Sequence, residues 1–291
     1  MTPTRPVFPA VVHAPAKVNL FLHITGKRDD GYHTLESGVV FTAFGDRITI
    51  DRAAADEICI IGPFANDLNE YTSINVCLTC LEEFRRAGGT FEPVMVKIEK
   101  NIPVGAGLGG GSADAAALLR YINQHTPSPL PYSALQELAL RLGADVPACL
   151  NMSPTLVEGV GEIISPLKIR NPGPILLANP GKVLFTKDVF RAYSEGYENF
   201  RSGQEPKPNQ NWMGPATLAQ LGNDLQKAAR HLMPQVSDLM IKMNKQDGAI
   251  AVGLSGSGAT CFAIYENEKK CVASASSLRE LGFWSEATLI V

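Results

Sequence analysis

The densest chemistry in the sequence is the run PVGAGLGGGSA, made by Pro103, Val104, Gly105, Ala106, Gly107, Leu108, Gly109, Gly110, Gly111, Ser112 and Ala113. Five glycines within seven positions stand directly before an Ala/Leu-rich helical pattern. Such a loop lets the backbone approach a ligand and aims several N–H groups at it, while the helix N-terminus adds partial positive charge. That is an anion cradle, most naturally one for phosphate. Gly105, Gly107 and Gly110 also satisfy G-x-G-x-x-G. A dinucleotide fingerprint, however, belongs in the first βα unit and is followed about 20 residues on by an acid at a strand end. Here the run is followed by HTPSPLPYSAL. It is not a Walker A loop either, because no lysine follows the glycines. A tight strand-to-helix turn that holds no ligand is the remaining reading.

A second glycine cluster, GLSGSGAT, contains Gly256, Ser257 and Gly258 between two strand patterns, where it serves a hairpin as well as it serves a ligand. Asp145 precedes Pro147 and can cap a helix there or act as a base. Lys17 has Ala14, Pro15, Ala16 and Val18 around it, so its stem is expected to be partly buried rather than fully solvated. A lysine beside an aspartate lowers the carboxylate pKa and orients a reacting hydroxyl, which is what phosphoryl transfer asks of protein groups. Tyr32 and His33, in DGYHTL, are either surface residues or a base reader, since neutral imidazole donates from one nitrogen and accepts at the other while a tyrosine ring stacks.

These residues need elements to hold them. VVHAPAKVNLFLHIT alternates after Pro15, with Val18, Leu20, Leu22 and Ile24 facing one way and Lys17, Asn19, Phe21 and His23 the other: a strand with a polar face. FTAFGDRITIDRA, EICIIG and PVMVKIEK read as further short strands. Residues 72–87 carry Ile74, Cys77, Leu78 and Leu81 at helical spacing, and 132–142 form a helix stopped by Gly143. Pro and Gly crowd around 166–174, which sets a boundary between a first domain, 1–168, and a second, 169–291. The second reads strand, helix, a polar Pro-containing loop, helices over 215–246 with Val236, Leu239, Met240 and Met243 as an apolar stripe, then strand, strand, helix, strand. With the extra helices set aside the order is β-α-β-β-α-β, the ferredoxin-like arrangement.

The chain has 291 residues, 45% hydrophobic and 19% charged, enough for one large or two ordinary domains with cores of their own. Its net charge of -3 is interspersed rather than blocked, which argues against a nucleic-acid partner. The uncharged stretch 248–265 is broken by glycines and hydroxyls and is not expected to span a membrane. MTPTRPVFPA lacks a continuous apolar core of the secretory type, so a cytoplasmic location is expected. Six cysteines, mostly with apolar neighbours, fit buried thiols in a reducing compartment, and the lone C-x-x-C of Cys77 and Cys80 reads as core rather than as a redox or zinc pair.

With these residues in hand the chain resembles the GHMP kinase superfamily along nearly its whole length. The resemblance rests on APAKVNLFLHITGKRDDGYH, NIPVGAGLGGGSADAAALL, LGADVPACL, NDLQ and GLSGSGATCFA. The glycine run points to the superfamily, and PAKVNLFLHI with DGYH to its branch acting on a cytidine diphospho-polyol. It implies an α+β, two-domain fold: a ribosomal-S5-domain-2-like N-terminal domain and a ferredoxin-like C-terminal one, with the site in the cleft between. It also implies an ATP-dependent kinase of a substrate 2-hydroxyl, with ATP as phosphate donor and Mg²⁺ expected. Asp145 would be the general base and Lys17 its partner; residues 103–113 would hold ATP. Asn19, Tyr32 and His33 would hold the acceptor, with Phe190 opposite Tyr32 on the cytosine and Gly256, Ser257 and Gly258 near the phosphate or polyol end. No metal ligand follows from the motifs, although Ser112 is the first to examine. Gln226 stands where related kinases more often have Glu, and the segment 200–215 matches no motif. Homoserine- or mevalonate-type kinases, and a non-catalytic nucleotide-binding regulator on the same fold, are the alternatives; DGYH speaks against the former, Asp145 with Lys17 against the latter. The sequence carries no signal of oligomeric state.

Overall fold

A β-strand runs from Ala10 to Lys27 (β1) and a second from His33 to Arg52 (β2), in a computed structural model that describes residues 6–67, 76–198, 200–201 and 212–291. Both strands are long, and β2 extends the short strand read over FTAFGDRITIDRA back to His33. Contacts divide the chain into two compact units. One comprises Met1–Ala16, Gly45–Val104 and Gly109–Met152, the other Lys17–Phe44, Gly105–Leu108 and Ser153–Val291. Each of β1 and β2 therefore contributes to both, and they pair with one another.

In the first unit the β2 segment Arg47–Arg52 pairs antiparallel with β4 (Val94–Glu99), which pairs parallel with β3 (Glu57–Ile61). β4 alternates buried Val94, Val96 and Ile98 with more open positions, the period-2 signature of a strand with one face on a core. Among the described residues that core is completed by α1 (Val76–Arg86), α2 (Gly110–Gln124), α3 (Tyr132–Leu142) and α4 (Val146–Asn151). α2 is buried along Ala115, Ala116, Ala117, Leu118 and Leu119, and its small residues let other helices approach closely. α1 buries Cys77, Cys80, Leu81 and Phe84; burial pushes the Cys77 thiol well up and that of Cys80 to about 12, so both behave as core. Ile74 lies outside the described residues.

In the second unit the β2 segment Leu35–Val39 pairs antiparallel with β5 (Thr155–Gly159), and β5 with β6 (Ile163–Pro166). β7 (Pro174–Asn179), β8 (Ala249–Leu254), β9 (Cys261–Tyr265) and β10 (Trp284–Leu289) form an all-antiparallel sheet in the order β10-β7-β9-β8. That is the strand order of the β-α-β-β-α-β pattern read from the sequence. Among the described residues this unit holds α5 (Thr186–Gly196), α6 (Pro215–Ala219), α7 (Gln226–Leu232), α8 (Pro234–Asn244) and α9 (Glu268–Glu280). The expected stripe Val236, Leu239, Met240 and Met243 on α8 is buried in the core with Leu176, Ala178 and Leu278. Each such side chain contributes roughly 1.5–3 kcal/mol on leaving water. The polar segment 202–211, within the stretch that matches no motif, lies outside the described residues. No helix among the described residues is long and apolar enough to cross a membrane.

Candidate active site

Lys17 and Asn19 are on the polar face of β1, but that face is not solvated: Lys17 is 5% exposed and Asn19 4%. A buried ammonium needs acceptors. Lys17 Nζ donates to Asn19 Oδ1 at 2.7 Å, and Asn19 Nδ2 donates in turn to Ser37 Oγ at 2.7 Å. The Ser37 hydroxyl closes the relay on the Phe21 carbonyl at 2.6 Å. Asn19 of β1 and Ser37 of β2 thus fix the lysine head. It is oriented by protein groups rather than by solvent.

The glycine run is a left-handed staircase. Gly105, Gly107 and Gly109 have φ of +62°, +75° and +63°, which L side chains rarely adopt, and Gly109 is the N-cap of α2. Ala106 and Leu108, between them, bury their side chains and anchor the loop. A Cβ at Gly107 would run into the Ser255 carbonyl oxygen, so glycine is required there for space as well as for φ. The centre, residues 105–108, packs with the second unit while 103–104 and 109–113 belong to the first. Ser112 lies on the first turn of α2.

The second glycine cluster follows β8. Ser257 is 5% exposed and its hydroxyl meets Thr186 Oγ1 at 2.9 Å; Gly256, at φ +56°, and Gly258, at φ +86°, are buried beside it. NDLQ acquires a role that its sequence did not reveal. Asn223 Nδ2 donates to the carbonyls of Leu254 at 2.8 Å and Gly256 at 2.7 Å, while Asp224 Oδ2 accepts from the Ile24 N–H at 2.8 Å. This segment ties the cluster and β1 to one turn, with Gln226 only the first residue of α7.

His33 opens β2 and sits against the side chains of α5. Its ring lies 5.2 Å from that of Phe190, inclined by 32°, and edge-on to Tyr193 at 5.8 Å. His33 Nε2 is 3.0 Å from Ser194 Oγ. Burial, then the nearby Lys27 ammonium, lower its pKa against the opposing pull of Glu198, so the imidazole is neutral at pH 7. Tyr32, by contrast, is 68% exposed. His33 and Phe190 are together, and Tyr32 stands out in solvent beside them in sequence.

Asp145 occupies the N-cap position of α4 in the first unit, with its residue exposed. Its side chain makes no capping hydrogen bond, so the helix start does not consume the carboxylate. Beneath the same α2 that follows the glycines lies a buried charge cluster that the sequence reading did not single out. Lys100 Nζ contacts Asp46 Oδ2 and donates to Asp114 Oδ2 at 2.7 Å. Asp46 Oδ1 accepts the N–H groups of Asn101 at 2.6 Å and Ile102 at 2.8 Å. Asp114 Oδ1 accepts no hydrogen bond from the described residues, and desolvation with the adjacent Asp46 charge outweighs Lys100 and pushes the Asp114 pKa up to about 7. The clue in the sequence was a lysine directly after one strand and an aspartate in the second turn of the next helix, on either side of the glycine run. Among the described residues no group of three or more His, Cys, Asp or Glu is arranged to hold a metal.

Residues 75–152 match the GHMP kinases N terminal domain and residues 207–280 the GHMP kinases C terminal domain. The chain is 41% identical to a 4-diphosphocytidyl-2-C-methyl-D-erythritol kinase of Agrobacterium fabrum over 94% of both chains. It is 39% identical to one of Brucella abortus over 92% of this chain and 90% of that one. A crystal structure of 4-(cytidine 5'-diphospho)-2C-methyl-D-erythritol kinase superposes with a TM-score of 0.79 at 30% identity, covering 97% of this chain and 99% of that one. A homoserine kinase from Cytophaga hutchinsonii shares the fold, with a TM-score of 0.69 at 16% identity over 99% of this chain and 96% of that one.

Proposed function

The chain belongs to the 4-diphosphocytidyl-2-C-methyl-D-erythritol kinase family of the GHMP kinases, and from that premise we propose that it transfers the γ-phosphate of ATP to the 2-hydroxyl of 4-CDP-2-C-methyl-D-erythritol, a step of the non-mevalonate route to isoprenoid precursors. In this reading residues 103–113 receive the triphosphate, their backbone N–H groups and the α2 N-terminus matching its charge. Mg²⁺ bound with the nucleotide would supply charge neutralisation on the transferred group, and Ser112 is the side chain to test as its ligand. Asp145 accepts the hydroxyl proton as general base, and Lys17 polarises that hydroxyl. Asn19 orients Lys17 and faces the acceptor. Neutral His33 reads the cytosine edge, Tyr32 and Phe190 offer ring faces to the base, and Gly256, Ser257 and Gly258 lie near the acceptor's phosphate or polyol end. The division into an ATP-binding domain, 1–168, and a ferredoxin-like domain, 169–291, accompanies this reading, as do a cytoplasmic location and the absence of a nucleic-acid partner.

One observation carries most of it. A lysine 5% exposed is held by a dedicated amide-hydroxyl relay on the strand whose Lys17 N–H bonds the Leu108 carbonyl, at 3.0 Å, in the centre of the glycine run. The test is ADP release, by a coupled assay with Mg²⁺, with the cytidine diphospho-polyol, homoserine and mevalonate offered separately. Turnover with the cytidine compound alone is the expected result. Turnover with another acceptor would refute the substrate assignment, and silence with all three would favour a nucleotide-binding regulator.

A further inference from the structure

Three consecutive carbonyls in the centre of the glycine run are each tied down by a different donor. The Ala106 carbonyl accepts from the Thr260 N–H at 3.1 Å and the Leu108 carbonyl from the Lys17 N–H at 3.0 Å. Between them, the Gly107 carbonyl accepts from the Ser255 hydroxyl at 2.8 Å. The physical need is plain. A loop that receives an anion must present its N–H groups and keep its carbonyl oxygens, which carry partial negative charge, turned away. Two of the three ties are backbone to backbone and follow from strand pairing and loop path. The middle one depends on a side chain, and it sits at the residue with the least resistance to rotation, since Gly107 has no Cβ and already lies at φ +75°.

We infer that Ser255 is a positioning residue: its hydroxyl holds the Gly107 peptide with its oxygen away from the nucleotide phosphates and in register with the strand that carries Lys17. Ser255 is wholly buried. Its hydroxyl works in both directions, accepting from the Asn19 N–H at 3.1 Å while donating to Gly107. Its own backbone is fixed as well, the N–H donating to the Thr260 carbonyl at 3.0 Å and the carbonyl accepting from the Gly258 N–H at 2.9 Å. The hydroxyl is therefore presented by a rigid turn and aligns the loop centre with β1. The inference rests on the reading of residues 103–113 as the ATP loop.

The experiment is ADP binding by titration calorimetry, per mole of folded protein, for the wild type, Ser255→Ala and Ser255→Cys, beside their thermal midpoints. Wild-type binding of ADP tests the ATP-loop reading by itself; no binding there would refute that reading and this inference with it. Given wild-type binding, Ser255→Ala is expected to raise the Kd about 10-fold or more, because a buried acceptor loses its donor and the peptide is free to turn towards the anion. Ser255→Cys, of similar volume with a weaker donor, is expected to fall between. The KM for ATP should follow the Kd, with the acceptor KM within about threefold. A lowered midpoint with ADP affinity unchanged in either variant would assign Ser255 to stability alone and overturn the inference. Should Ser255→Ala not fold, the cysteine variant decides, and its wild-type affinity would overturn the inference equally.

Discussion

Asp114→Asn is expected to remove the pH dependence that Asp114 contributes from the buried cluster under α2. The wild-type carboxyl has an ordinary value of 3.8 and is raised to about 7 in the fold. Between those values the native state binds a proton that the unfolded chain has released, so stability falls as pH rises through the window and levels off above the folded value. At about 1.4 kcal/mol per pKa unit, most of the gap lies between pH 5 and 7, and this one group costs the wild type about 3 kcal/mol on going from pH 5 to pH 8. Screening removes little of it, because Asp114 is 3% exposed. Asparagine keeps the shape and a hydrogen-bonding oxygen for Lys100, leaves the Lys100–Asp46 pair with no net charge, and does not titrate. Urea unfolding of both proteins at pH 5, 6, 7 and 8 gives the difference directly, with every other titrating group cancelling to first order. The variant should gain on the wild type by about 3 kcal/mol over the range, with most of the change below pH 7. Parallel pH profiles would refute the argument, since they would mean that Asp114 is ionised throughout and that Lys100 offsets its burial in full.

Asp145→Asn should keep its fold and its affinity for both substrates while kcat falls by about 10²–10⁴, because only the proton acceptor changes; single-turnover kinetics with separate binding titrations check this, and near-normal kcat would remove Asp145 from the base role. His33→Ala should raise the acceptor KM and spare the ATP KM. In the wild type the acceptor KM should also rise as pH falls below the lowered imidazole pKa, because only the neutral ring both donates and accepts. Gly107→Ala should weaken nucleotide binding at least 10-fold and lower the thermal midpoint, since its Cβ meets the Ser255 carbonyl and its φ is +75°.

The element order β-α-β-β-α-β could be read in advance because each of its strands is short and bounded by turn residues, and α8 declares itself by its apolar stripe. The helix Tyr132–Leu142 was legible to the residue, since Gly143 ends it. β2 was legible only in part, since its strand pattern was read from Phe41 while the strand begins at His33. In the structure Asp46 is wholly buried, binding Lys100 and the N–H groups of the turn after β4. The polar face of β1 was anticipated but its burial was not: alternation reports which residues share a face, not whether that face meets water. Ser255 was missed because its partners Asn19 and Gly107 are far away in sequence, and a lone serine in a glycine-rich turn carries no local sign of the carbonyl it will hold.

The same hydrogen bond from Asn19 to Ser255 spans 236 residues of sequence. At a synthesis rate of roughly 5–20 residues per second, β1 leaves the ribosome roughly 10 to 50 s before the turn that completes its environment exists. The first unit is fully translated by residue 152, whereas the second draws on Lys17–Phe44 and on residues out to Val291. During translation the strand with Lys17 and Asn19 thus waits with apolar residues such as Leu22 and Ile24 short of their eventual neighbours, a ready substrate for a holdase chaperone or for mispairing with a neighbouring nascent chain. A pause anywhere between the codons for β1 and those for residue 260 would lengthen that exposure by its full duration.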